Sequence, residues 1–99
     1  MNSIELLINE IRKRPGLYLG KKSISLFGAF IHGYEQCLRE NEMTRDIRLH
    51  PDFYEFVLEK YPTTLSLGWV GIILGQSSSE EEAFDKFFEL YDEFQNRDK

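Results

Sequence analysis

The sequence predicts an all-α fold, a single-domain bundle of four to five helices over residues 1–99. Three observations lead there. Apolar residues recur at i, i+3, i+4 and i+7 in several segments, the period of a helix with one buried face. Pro15, Pro51 and Pro62 fall between those segments, where they can stop or start a helix. Eight Phe, five Tyr and one Trp supply rings that bury about 150–250 Å² each, so a short chain can still build a core.

The first helix is expected from about Ser3 to Arg14. Ile4, Leu7, Ile8 and Ile11 make its apolar face, Asn2 with Glu5 suits a capped start, and Lys13 and Arg14 suit the negative end of the helix dipole. Pro15-Gly16 stops it. Leu17-Tyr18-Leu19-Gly20 reads as a short apolar connector packed on the core. Ser23 is the expected N-cap of a second helix reaching Asn41, with Leu26, Phe27, Phe30, Ile31, Tyr34 and Leu38 as its stripe. Gly28 and Gly33 inside it each disfavour the helix by about 1 kcal/mol against alanine, so both are expected at close helix approaches.

Residues Glu40–His50 are polar and form the first long connection. Pro51 suits a first helical position, and Phe53, Phe56, Val57 and Leu58 carry a third helix to Tyr61, before Pro62. The segment from Leu65 to Gly75 reads as a buried helix, although Trp69, Val70, Ile72 and Ile73 would also suit a strand. Ser79 with Glu82 forms a capping box that opens the last helix, running to Gln95. Phe84, Phe87, Phe88, Tyr91 and Phe94 line one side of it. The expected common core is Phe30, Tyr34, Trp69, Phe84, Phe87, Phe88 and Tyr91.

The formal net charge is −5, and its distribution is uneven. Residues 1–79 hold nine acids and nine bases, whereas residues 80–99 hold eight acids and three bases. The whole excess therefore sits at the last helix. Arg12, Lys13, Arg14, Lys21 and Lys22 form the opposite pole, with no acid between them. Direct nucleic-acid binding would favour the reverse balance, so no nucleic-acid partner is expected. The basic pole is as well suited to pairing with the acidic helix inside the fold.

Little in the sequence suggests catalysis. His32 and His50 lack the spacing of metal ligands, no Cys-x-x-Cys exists, and the single cysteine, Cys37, reads as a small core residue beside Leu38. His32, Glu35 and Gln36 lie within one turn. Carboxylate pairs such as Glu82 with Asp85 sit on one exposed helix face, not across a cleft as acid–base chemistry needs. The expectation is no enzyme, no cofactor and no metal. No signal peptide is expected from residues 1–10. The longest apolar stretch, about Leu65 to Leu74, is half the roughly 20 residues that a membrane span needs. The default expectation is therefore a cytoplasmic protein.

Two resemblances bear on function. Arg14-Pro15-Gly16-Leu17-Tyr18-Leu19-Gly20 resembles the Arg-Pro-Gly-Met-Tyr-Ile-Gly stretch in the ATPase subunit of type II topoisomerases. That family also needs a magnesium-binding Asn beside a Glu on the next helix and an Asp-x-Gly-x-Gly loop. Here Glu35 has no Asn near it before Asn41, and the loop is missing. The same seven residues, with Ser23-Ile24, Leu26, Phe30-Ile31, Gly33-Tyr34 and Phe87-Phe88-Glu89-Leu90, are similar to small bacterial immunity proteins of contact-dependent growth inhibition and other polymorphic toxin systems. That resemblance implies tight one-to-one binding of a cognate toxin without catalysis. Many such toxins are nucleases, whose substrate sites are cationic. The dense acids of the last helix then suggest the contact residues, Glu81, Glu82, Asp85, Glu89, Asp92 and Glu93. The alternative is a non-catalytic adaptor module whose acids only keep the helix soluble.

Overall fold

The computed structural model describes residues 3–42 and 52–97. Among them the chain forms six helices and no strand: α1 (Ser3–Lys13), α2 (Pro15–Leu19), α3 (Ile24–Glu40), α4 (Tyr54–Lys60), α5 (Trp69–Gly75) and α6 (Glu80–Asn96). The all-α expectation holds, and the count exceeds it by the short α2. That helix arises where the sequence suggests a connector. Pro15 takes its first turn, where a missing N–H costs nothing, and Gly20 closes it in the left-handed region at φ 84°, donating its N–H to the Gly16 carbonyl. The expected contacts of Asn2 and Pro51, and most of the 40–50 connection with His50, lie outside the described residues.

Helices α3 and α6, each 17 residues long, pack on one another, and α5 packs against both. The buried cluster they enclose takes Ile4, Ile8 and Ile11 from α1, Phe27 and Ile31 from α3, Val57 from α4 and Ile72 and Ile73 from α5. From α6 it takes Phe84, Phe87, Phe88, Tyr91 and Phe94. Aromatic rings form its centre. Phe27 meets Phe84, Phe87, Phe88 and Trp69 at centroid distances of 4.7–6.0 Å. Phe53, at the turn leading into α4, meets Phe87 at 5.2 Å and Phe94 at 5.4 Å. Edge and tilted contacts of this kind add about 0.5–1.5 kcal/mol each beyond the area they bury.

Several sequence expectations are corrected. Phe30 is not in the core. It stands 37 % exposed, edge-on to Tyr18, and Tyr34 is only half-buried. Leu17 points outward at 71 % exposure, while Tyr18 and Leu19 do pack on the core. Cys37 is exposed, not a core residue, because α3 turns Ile31, Glu35 and Leu38 inward instead. Gly33 has open space around it, whereas Gly28 does mark a close approach: a β-carbon there would sit 2.5 Å from Val70 Cγ2 of α5. In the 65–75 segment only Trp69–Gly75 is helical. There Leu65 and Leu67 are exposed, and Trp69, Ile72 and Ile73 are buried.

Candidate binding surface

Helix α6 is fixed by its aromatic side and by both neighbours at its start. The Ser79 hydroxyl accepts from the Glu82 N–H at 3.0 Å, as a capping box requires. The reciprocal contact is displaced by one residue: the Glu82 carboxylate accepts from the hydroxyl and N–H of Ser78, at 2.6 and 3.3 Å, and these bonds hold it below its ordinary pKa. Glu80 reaches across to α3. Its oxygens accept from the Ser25 hydroxyl at 2.7 Å, the Ser25 N–H at 2.9 Å and the Ser23 hydroxyl at 2.8 Å. These bonds, the Ser25 hydroxyl's foremost, lower the Glu80 pKa. Ser23 itself accepts from the Leu26 N–H at 3.2 Å as the N-cap of α3. One carboxylate of α6 thus completes the positive end of α3, where anionic groups are favoured.

The six suspected contact acids all lie on the solvent side of α6, but they differ in what they already touch. Asp92 is held by a two-pronged bond from Arg12, Nη1 to Oδ1 at 2.9 Å and Nη2 to Oδ2 at 2.7 Å. The same guanidinium sits 5.0 Å over the Phe88 ring. Lys22 meets Asp85 at 2.8 Å and reaches Glu81 at 3.9 Å. Lys60 of α4 donates to Glu93. The Arg12 and Lys22 charges are favoured by these bonds, and both pKa values are raised, first by the hydrogen bond to the acid. Glu82 bonds only to Ser78, and Glu89 has no ion pair or hydrogen bond among the described residues.

Helical geometry orders this pattern. Glu81, Asp85 and Asp92 follow one edge of the solvent face, at i, i+4 and i+11, and are braced by Lys22 and Arg12. Glu93 lies toward the other edge, braced by Lys60. Glu82 and Glu89, seven residues apart, run between the edges. The basic pole seen in the sequence is therefore divided: Arg12 and Lys22 join the acidic helix, while Lys13, Arg14 and Lys21 make no ion pair among the described residues. The braced pairs are about half exposed and screened by solvent, so each adds little to stability. Their larger effect is to fix where the carboxylates point.

A concavity lies beside α3, away from the acidic face of α6. His32, Glu35 and Arg39 of α3, Tyr54 of α4, and Leu67 and Trp69 at the start of α5 enclose a cleft of about 530 Å³. Glu35 is 3 % exposed, and the His32 ring packs 5.8 Å from the Trp69 ring. His32 and Glu35 thus share a wall, as their spacing suggests, but Gln36 turns to Glu40 and Arg39 instead. Among the described residues no group of three or more His, Cys, Asp and Glu side chains could hold a metal ion. Also among them, no helix is long and apolar enough to cross a membrane. Nothing in the sequence pattern foretells the burial of Glu35 or the role of Glu80, since both depend on elements distant in the chain. Compared with family models, curated proteins and solved structures, the chain matches none.

Proposed function

We propose that this chain is a non-catalytic immunity protein that binds a basic toxin, a nuclease by preference, and covers its active site or substrate groove with the solvent face of α6. The observation that carries the reading is the rigid presentation of acids along α6. Its aromatic side is buried, its first turn is capped, and Glu82 and Glu89 stand exposed between two braced edges. A cationic substrate groove meeting such a face gains long-range attraction and rapid association. Carboxylates ordered before binding also lose less freedom on binding, at about 0.5–1.5 kcal/mol per side chain. In this reading Glu82 and Glu89 contribute most to attraction. Glu81, Asp85, Asp92 and Glu93 share their charge with Lys22, Arg12 and Lys60, so the toxin's cations compete for them.

The adaptor reading draws on the same pairs: four of the six acids already serve partners within the chain, which a merely solvating, self-bracing helix would also do. One experiment separates the two. The chain is co-expressed with a basic toxin from a neighbouring gene, and the cells are scored for survival and the proteins for co-purification; no protection against any such toxin removes the immunity reading. Glu82→Lys/Glu89→Lys breaks no ion pair among the described residues and removes only the Glu82 bonds to Ser78, and circular dichroism checks that the fold is kept. Loss of protection with an intact circular dichroism spectrum supports neutralisation through α6. Full protection by that variant removes the acidic face from the mechanism.

A further inference from the structure

A different face of the molecule carries a second interface. On α3, Leu26, Ala29, Phe30 and Gly33 fall at i, i+3, i+4 and i+7, with Cys37 one turn further, and all five are exposed. Leu26 is 42 % exposed and Phe30 37 %, and Leu17 of the neighbouring α2 adds 71 % of its surface beside them. This is a second apolar stripe on a helix whose first stripe already fills the core. Gly33 and Ala29 leave its middle flat, with nothing within 4 Å of a β-carbon at Gly33, so another helix can approach closely.

The charges at the two ends of the stripe indicate what covers it. Its N-terminal end is basic: Lys21 precedes α3, exposed and in no ion pair among the described residues. Its C-terminal end carries Glu40 and Glu42, also exposed and in no such pair. Arg39 belongs to the opposite side, where it lines the cleft and donates to Gln36. The stripe is thus flanked by a base before its start and by acids at its finish. In an antiparallel pair of α3 helices the base of one copy meets the acids of the other.

We propose that the Leu17–Leu26–Phe30–Gly33 stripe is the interface of a two-fold homodimer, in which α3 packs antiparallel on α3 of a second copy. Lys21 of each copy then faces Glu40 and Glu42 of the other. Residue n lies opposite a residue near 63 − n, because the stripe is centred between Ile31 and His32. A two-fold contact needs one self-complementary patch, and an apolar centre with opposite charges at its ends is such a patch. This face is separate from the acidic side of α6, so a dimer would present two acidic faces.

Sedimentation equilibrium of the full chain tests this. The expected mass is twice 11.7 kDa, with a concentration-dependent return to monomer on dilution. Gly33→Arg fits the open space on the exposed side, so the fold remains while the close approach is blocked, and only monomer is expected. Lys21→Glu and Glu40→Lys supply the orientation test. Each alone is expected to weaken self-association at least tenfold, and an equimolar mixture of the two is expected to form heterodimers more tightly than either pairs with itself. A monomer at every concentration overturns the proposal, as does a dimer indifferent to Gly33→Arg. A dimer lost with Gly33→Arg but showing no preference in the mixture overturns the antiparallel pairing. Monomer that captures the toxin through the stripe assigns that face to the toxin instead.

Discussion

Gly28 and Gly33 are five residues apart on the same helix, and their surroundings assign them opposite responses to the same substitution. Replacing either by alanine removes a helix-interior glycine, which favours folding by about 1 kcal/mol. At Gly33 nothing opposes that gain, because a β-carbon meets no atom within 4 Å. At Gly28 the new methyl would lie 2.5 Å from Val70 Cγ2 and 3.6 Å from Val70 Cβ. Valine in a helix has one strongly favoured rotamer, so its methyl does not swing away freely. Either α3 and α5 separate or Val70 leaves its rotamer, and overpacking of this kind costs about 1–3 kcal/mol. The expected outcome is a gain of about 1 kcal/mol for Gly33→Ala, a Tm rise of about 4–8 °C for a domain this size. For Gly28→Ala the net change runs from about zero to a loss of about 2 kcal/mol once the helix gain is set against the clash. Thermal and urea denaturation in dilute solution, where self-association does not enter, measure both. In a Val70→Ala background the clash is gone, and Gly28→Ala should then recover the gain seen at Gly33. Equal effects at the two glycines, or an equally harmful Gly28→Ala in that background, would refute the close α3–α5 approach.

Other expectations follow from the same contacts. Phe87→Ala, at a fully buried ring among Phe27, Phe53, Trp69, Phe88 and Tyr91, should cost about 3–5 kcal/mol, seen as loss of a cooperative melting transition. A double-mutant cycle on Arg12 and Asp92 should give a coupling of about 0.2–1 kcal/mol that shrinks as salt is added, since the pair is half exposed. Glu80 and Glu82 have lowered folded-state pKa values. Their contribution is therefore present above the unfolded carboxyl pKa, about 4.3, and disappears as pH falls through the lowered folded values. Melting followed against pH should show Glu80→Gln flattening the acid side of the profile.

Periodicity makes the long helices legible in the sequence, because their buried faces are set by contacts within reach of i+3 and i+4. The Ser23 and Ser79 caps and the break at Pro15-Gly16 are legible for a similar reason, being local chemistry. What local pattern does not settle is which apolar side of α3 is buried. Leu26 and Phe30 continue the helical spacing as well as Phe27 and Ile31 do, and only the placement of α5 and α6 decides between them. Ala29 and Gly33, the small residues that fall in line with Leu26, Phe30 and Cys37, are the signal that a second face exists. The division of the acids into braced and unbraced sets is equally hidden, since Arg12 and Asp92 are 80 residues apart in sequence. Glu80 is the sharpest case: counted with the acidic helix by sequence, it serves as the anionic cap of α3.

The most direct test of the proposed neutralisation through α6 is the association rate of this chain with a basic toxin nuclease that it protects against, followed by stopped flow across a range of ionic strength. Wild type should bind fastest at low salt and slow steeply as salt rises, because exposed charges are screened beyond a Debye length of about 10 Å at 0.1 M. Glu82→Lys/Glu89→Lys should associate at least tenfold more slowly at low salt and lose most of that salt dependence, since charges of this kind act mainly on the rate of encounter. Identical rates and identical salt slopes for the two proteins would contradict the proposed role of the acidic face.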